Sequence, residues 1–120
     1  MNITVIGCGR WGTFIAWYLD SIGHNVKLYG KSNAPQMQEL LQTRKNNLIS
    51  LSDSMTLTTS LDDALSDAET IIVSIGSQAL RGLLGEIKPY EIKNQTFVLC
   101  MKGIETGTGR RLSEIAEENL

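Results

Sequence analysis

Ile3-Thr4-Val5-Ile6-Gly7-Cys8-Gly9-Arg10-Trp11-Gly12 stands near the start of the chain, and the order of these residues decides the fold. Ile3 to Ile6 are all β-branched and read as a buried strand; glycines at 7, 9 and 12 follow at once, and a segment of helical period begins among them. A lone G-x-G-x-x-G spacing is a weak signal. Here it follows a strand, opens a helix and lies within a strand-helix-strand unit, so it predicts a dinucleotide site built on Gly7, Gly9 and Gly12. The first glycine permits a tight turn, the second lets backbone approach a pyrophosphate, and the third lets the helix pack closely on the strand. N–H groups left unpaired at the helix start then face the phosphate charge.

Working outward, Trp11, Phe14, Ile15, Tyr18, Leu19 and Ile22 recur at spacings of three and four, which predicts one apolar stripe turned toward a sheet. Gly23 is placed to end this helix in a left-handed conformation, and Asn25 to Tyr29 reads as the second strand. Ser32 or Asn33 is expected to cap a second helix with Pro35 in its first turn, its apolar face being Met37, Leu40 and Leu41, up to about Arg44. Asn46 to Ser54 reads as loop, Met55 to Thr58 as a weak third strand, and Ser60-Leu61-Asp62-Asp63 as a capped helix start backed by Ala64, Leu65 and Ala68. Thr70 to Ile75 is an interior strand, and Leu80, Leu83, Leu84 and Ile87 make a helical stripe that stops before Pro89. Thr96 to Met101 is a fifth strand, and Leu112, Ile115 and Ala116 mark a final amphipathic helix. Strands alternating with helices predict an α/β fold of Rossmann type, doubly wound, with a mostly parallel sheet and helices on both faces.

At 120 residues, 42% hydrophobic and 20% charged, the chain fits one domain around one core. Dinucleotide-dependent oxidoreductases commonly pair a cofactor domain with a separate substrate domain, so residues 1–120 are expected to be the dinucleotide-binding domain of a truncated parent. A net charge of -2 with interleaved signs leaves no basic stripe for nucleic acid and no polybasic membrane anchor. No apolar run approaches the ~20 residues of a bilayer-spanning helix, and the opening residues lack the pattern of a secretory leader. Cys8 and Cys100, with His24 as the only histidine, cannot build a disulfide framework or a zinc site, so reduced thiols and a cytoplasmic setting are expected. His24 and Cys100 read as structural residues.

The end of the second strand bears on the choice of cofactor. A site specific for NAD carries Asp or Glu there to bind the ribose 2′-hydroxyl, and no carboxylate occurs between Ser21 and Gln38. Lys31 can instead meet a 2′-phosphate as a point charge, with Ser32 or Asn33 donating hydrogen bonds, which points to NADP(H) in preference to NAD(H). A solvated surface lysine is the plainer reading of Lys31. Gly76-Ser77 lies at the strand end where open α/β sheets bind ligands, although a simple turn has the same sequence. Lys102, after the fifth strand, falls on the same edge and can orient a phosphate or polarise a carbonyl; an ordinary solvated lysine fits equally.

Taken together, Gly7-x-Gly9-x-Trp11-Gly12-Thr13, Ser77 with Leu84-x-x-Ile87-Lys88-Pro89, and Lys102-Gly103-Ile104-Glu105 with Thr108-Gly109 and Leu112-Ser113-Glu114 make a specific set. In these motifs the chain resembles bacterial NAD(P)-dependent glycerol-3-phosphate dehydrogenase over nearly its whole length. It departs from that pattern at Gly76, where proline is frequent, at Met101, where threonine is common, and after Asn47, where a proline-rich segment is missing. The resemblance implies a parent enzyme that reversibly reduces dihydroxyacetone phosphate to sn-glycerol 3-phosphate for glycerophospholipid synthesis. It also implies cofactor contacts at Arg10, Trp11 and Lys31, and a catalytic Lys102 that touches both cofactor and substrate. A second catalytic lysine would come from the helical carboxy-terminal domain, so this chain alone is expected to bind cofactor and turn over little or nothing. A homodimer of the parent is left open. Two other readings stand beside this one: a ketopantoate reductase or hydroxyacid dehydrogenase type, and a stand-alone dinucleotide-sensing module.

Overall fold

A computed structural model of the chain describes residues 1–46, 48–76, 79–90 and 95–100. The expected final helix at Leu112 to Ala116 lies outside them. The strands are β1 (Asn2–Ile6), β2 (Asn25–Tyr29), β3 (Thr56–Thr58), β4 (Thr70–Val73) and β5 (Thr96–Leu99). Between them run α1 (Arg10–Ser21), α2 (Pro35–Thr43), α3 (Leu61–Leu65) and α4 (Leu80–Ile87), the last followed by a 3₁₀ turn at Lys88–Tyr90. All strand pairs are parallel, in the order β3-β2-β1-β4-β5.

β1 lies at the centre, paired from Asn2↔Asn25 to Ile6↔Tyr29 on one side and from Ile3↔Thr70 to Ile6↔Val73 on the other. Ile3, Thr4, Val5 and Ile6 are all buried, as the central strand of a sheet covered on both faces requires. Ile3 and Val5 join Ala16, Met37 and Leu40 in a core under α1 and α2. Ile6 joins Ala64, Leu80, Leu84 and Ile87 in a second core under α3 and α4. The buried Thr4 hydroxyl donates to the Ala64 carbonyl, so its polar group is satisfied within the protein. Helices therefore cover both faces of the sheet, as the alternating pattern predicted.

Several local signals hold. Gly23 has φ +101, its N–H donates to the Asp20 carbonyl at 3.1 Å, and the His24 N–H donates to Leu19 at 3.2 Å. These two bonds form a Schellman closure, which needs a left-handed residue at Gly23. The Ser60 hydroxyl accepts from the Asp63 N–H at 3.3 Å and caps α3.

Two expectations fail. The expected stripe of α1 meets the core only at Ile15 and Leu19: Trp11 is 62% exposed, Tyr18 51% and Ile22 54%. Gly12, Thr13 and Ala16 are buried there instead, flanked by Ile15 and Leu19. The helix packs so closely on the glycine turn at Gly12 that a Cβ there would meet the Gly7 carbonyl oxygen, and Trp11, Phe14 and Tyr18 are turned outward. Trp11 stacks on Phe14 with ring centroids 5.6 Å apart. At α2, neither Ser32 nor Asn33 is the cap. The helix starts from Ala34 without a side-chain cap, and the Ser32 carbonyl accepts from Gln38 Nε2 at 3.1 Å. Pro35 in the first turn limits the orphan donors, and Met37 and Leu40 are buried while Leu41 is 49% exposed. Among the described residues, no helix is long and apolar enough to cross a membrane.

Candidate functional site

The chain runs from β1 outward to β3 and then crosses back to β4, so the strand order reverses beside β1. Open α/β sheets take ligands at such a reversal, at the carboxyl ends of the strands. The glycine turn stands there. Gly7 has φ +125, and a Cβ on it would lie 1.9 Å from the Ser74 carbonyl oxygen. A Cβ on Gly12 would lie 2.0 Å from the Gly7 oxygen, so these two glycines are demanded by backbone packed against backbone. Gly9 differs: its φ is -68 and a Cβ there would meet nothing within 4 Å. The space above Gly9 is open.

Gly9 is also the residue that starts α1, and no side chain caps that helix or places a carboxylate in its first turn. The first-turn N–H groups are thus left for an anion, and the macrodipole adds to their pull. Thr13, which sequence reasoning quoted without assigning it a role, holds the turn from beneath. Its buried hydroxyl donates to the Cys8 carbonyl at 3.0 Å, and its N–H donates to Gly9 at 3.0 Å. Gly30 was missed as well: a Cβ there would lie 2.6 Å from the Cys8 sulfur, so the turn packs against the end of β2.

Two cavities meet at the turn. One, of 410 Å³, is lined by the glycine turn with Arg10, Trp11, Ser74, Gly76 and Cys100. The other, of 390 Å³ and mostly apolar, lies between the end of β2 and α4, lined by Tyr29, Lys31, Asn33, Ala79, Leu83 and Glu86. They share Gly7, Cys8 and Ile75, so the two recesses adjoin at the carboxyl edge of the sheet. An apolar recess, an uncapped helix start and a further recess past β4 succeed one another along that edge, and the residues present fit a dinucleotide. A polar cleft of 250 Å³ at the opposite edge is lined in part by Lys27, whose ammonium donates to the Asp63 and Ser66 carbonyls, a structural use.

Among the residues expected from sequence, Gly7, Gly9, Arg10, Trp11 and Gly12 come together at the turn, and Lys31 stands at the lip of the adjoining recess. Ser32 is exposed and does not line that recess, whereas Asn33 does. Ser77 and Lys102 lie outside the described residues. The Lys31 ammonium faces the Glu86 carboxylate at 4.0 Å, with side-chain exposures of 65% and 50%. Burial raises the Cys8 thiol above its ordinary pKa, partly offset by a backbone hydrogen bond, so it stays protonated at neutral pH. Burial likewise raises the Tyr29 phenol, helped by the negative charge of the Glu86 carboxylate.

Comparison with known proteins agrees with this geometry. Residues 2–120 match the family described as NAD-dependent glycerol-3-phosphate dehydrogenase N-terminus. The chain is 36% identical, over 99% of its length, to glycerol-3-phosphate dehydrogenase [NAD(P)+] of Bacillus mycoides, of which it covers 36%. Its fold superposes on a glycerol-3-phosphate dehydrogenase from Coxiella burnetii with a TM-score of 0.88 at 22% identity, covering 99% of this chain and 37% of that one. The corresponding values for a glycerol-3-phosphate dehydrogenase of Saccharomyces cerevisiae are 0.80 and 25%, covering 100% and 39%. The chain therefore spans about a third of the length of these relatives.

Proposed function

The chain belongs to the family of NAD-dependent glycerol-3-phosphate dehydrogenase amino-terminal domains, and from that membership we propose that it binds NADP(H), with NAD(H) also accepted, for a reversible reduction of dihydroxyacetone phosphate to sn-glycerol 3-phosphate. The observation that carries this reading is the open space over Gly9 at the uncapped start of α1. Among enzyme types, the family match favours this reaction over the ketopantoate reductase and hydroxyacid dehydrogenase types.

Bound cofactor supplies hydride chemistry, and the protein supplies orientation and electrostatics. The first-turn amides of α1 take the diphosphate charge, with Arg10 and Trp11 at the flank of the turn. Lys31 meets the 2′-phosphate on the adenosine ribose with Asn33, not Ser32, beside it in the recess, and Ser77 is assigned a supporting polar contact after β4. Lys102 orients the substrate phosphate or its carbonyl oxygen. Because the chain covers 36% of the Bacillus mycoides relative, the second lysine and the helical substrate domain are assigned to the remainder of the protein. The two free thiols, Cys8 and Cys100, suit a reducing cytoplasm.

Two measurements test the reading. Titration of the chain with NADPH, followed by tryptophan fluorescence, should saturate, because Trp11 borders the turn. The full-length protein should oxidise NADPH only when dihydroxyacetone phosphate is added. Absence of binding in the first assay removes the cofactor assignment, and absence of substrate dependence in the second removes the substrate.

A further inference from the structure

The recess beside Lys31 carries a charge that the sequence window around the end of β2 does not show. In dinucleotide-binding folds, a carboxylate at the end of the second strand accepts the ribose hydroxyls. That window has none here, yet Glu86 of α4 lines the recess from the opposite wall, with its carboxylate 4.0 Å from the Lys31 ammonium. The lysine expected to attract a 2′-phosphate is therefore partnered across the recess. We propose that Glu86 is a specificity-determining residue of the cofactor site: it accepts the adenosine ribose hydroxyls of NAD(H) and opposes the 2′-phosphate of NADP(H), so that Lys31 and Glu86 together set the ratio in which the two are bound. This rests on the cofactor assignment above.

The physical argument is one of sign and distance. A 2′-phosphate near Lys31 brings close to two negative charges alongside the Glu86 carboxylate, and at such separations repulsion survives partial screening. A 2′-hydroxyl brings no charge and can donate to that carboxylate. Removing the charge while keeping the shape should favour NADPH and leave NADH unaided.

The test compares the chain with its Glu86→Gln and Glu86→Asp variants, using NADPH and NADH as probes in parallel fluorescence titrations. With Gln, the Kd for NADPH should fall about fivefold while that for NADH stays or rises; the change should shrink as salt is raised. Asp retains the charge and should keep the ratio close to the parent value. A merely structural role for Glu86 would shift the urea midpoint and both dissociation constants together. An NADPH/NADH ratio unchanged within about twofold in the Gln variant, with binding intact, overturns the proposal and leaves the cofactor site standing. If the parent chain binds neither dinucleotide, the cofactor assignment fails and this proposal with it.

Discussion

Gly9 and Gly12 belong to the same motif, yet the structure predicts opposite consequences for an added methyl group. At Gly9 the backbone angle φ of -68 suits alanine and the new Cβ meets nothing within 4 Å. Gly9→Ala should leave stability unchanged or raise it by about 0.5 kcal/mol through a less flexible unfolded chain. Its methyl group projects into the space that a diphosphate needs. Displacing one charged hydrogen bond costs roughly 1.5–3 kcal/mol, so NADPH affinity should fall about 10- to 150-fold. At Gly12 the Cβ would stand 2.0 Å from the Gly7 carbonyl oxygen, which is backbone and cannot rotate away. Reaching an ordinary contact requires α1 to withdraw by roughly 1.5 Å. That opens the packing under Thr13 and Ala16, at a cost of about 3 kcal/mol. With a urea slope of about 1.5 kcal/mol/M, the unfolding midpoint should drop by about 2 M. Urea denaturation followed by circular dichroism, paired with NADPH titration, reads both quantities. The reasoning is refuted if Gly12→Ala keeps its midpoint, or if Gly9→Ala binds NADPH as tightly as the parent.

Other expectations follow from the same geometry. Thr13→Val removes the donor to the Cys8 carbonyl and should destabilise the chain by about 1–2 kcal/mol, read as a lower urea midpoint; an unchanged midpoint would show that the bond contributes nothing. Lys31→Asp reverses the charge at the lip of the recess between β2 and α4 and should weaken NADPH at least about tenfold while affecting NADH less. Equal NADPH affinity in that variant would remove Lys31 from the site. Alkaline pH should destabilise the fold: Cys8 and Tyr29 hold their protons more tightly when folded than at their ordinary values of 9.0 and 10.0. The folded state then binds more protons than the unfolded one above pH 9, so this contribution is full below that pH and lost as pH rises further. Midpoints measured from pH 8 to 11 should fall, and Cys8→Ala should flatten the early part of the decline; a flat profile in the parent contradicts the burial argument.

The strand, glycine turn and helix at the start of the chain were legible in the sequence because each depends on residues close together along it. A β-branched run extends, Gly7 takes a positive φ, Gly23 closes α1, and Ser60 caps α3 by a bond to Asp63. The stripe of Leu80, Leu83, Leu84 and Ile87 was also read correctly, since α4 has only one apolar face to bury. On α1 the stripe read from the helical period, Trp11 to Ile22, competes with a face of small residues, Gly12, Thr13 and Ala16, that the period did not single out. Helical period cannot say which one meets the sheet. The close approach at Gly12 decides it, and that is a property of two backbones in contact. The same limit explains Glu86. Its place opposite Lys31 comes from α4 crossing the far face of the sheet, and Coulomb interaction acts through space without regard to position along the chain. Sequence alone thus determined the glycine turn and its uncapped helix start; the tertiary structure decided which charges face each other beside it.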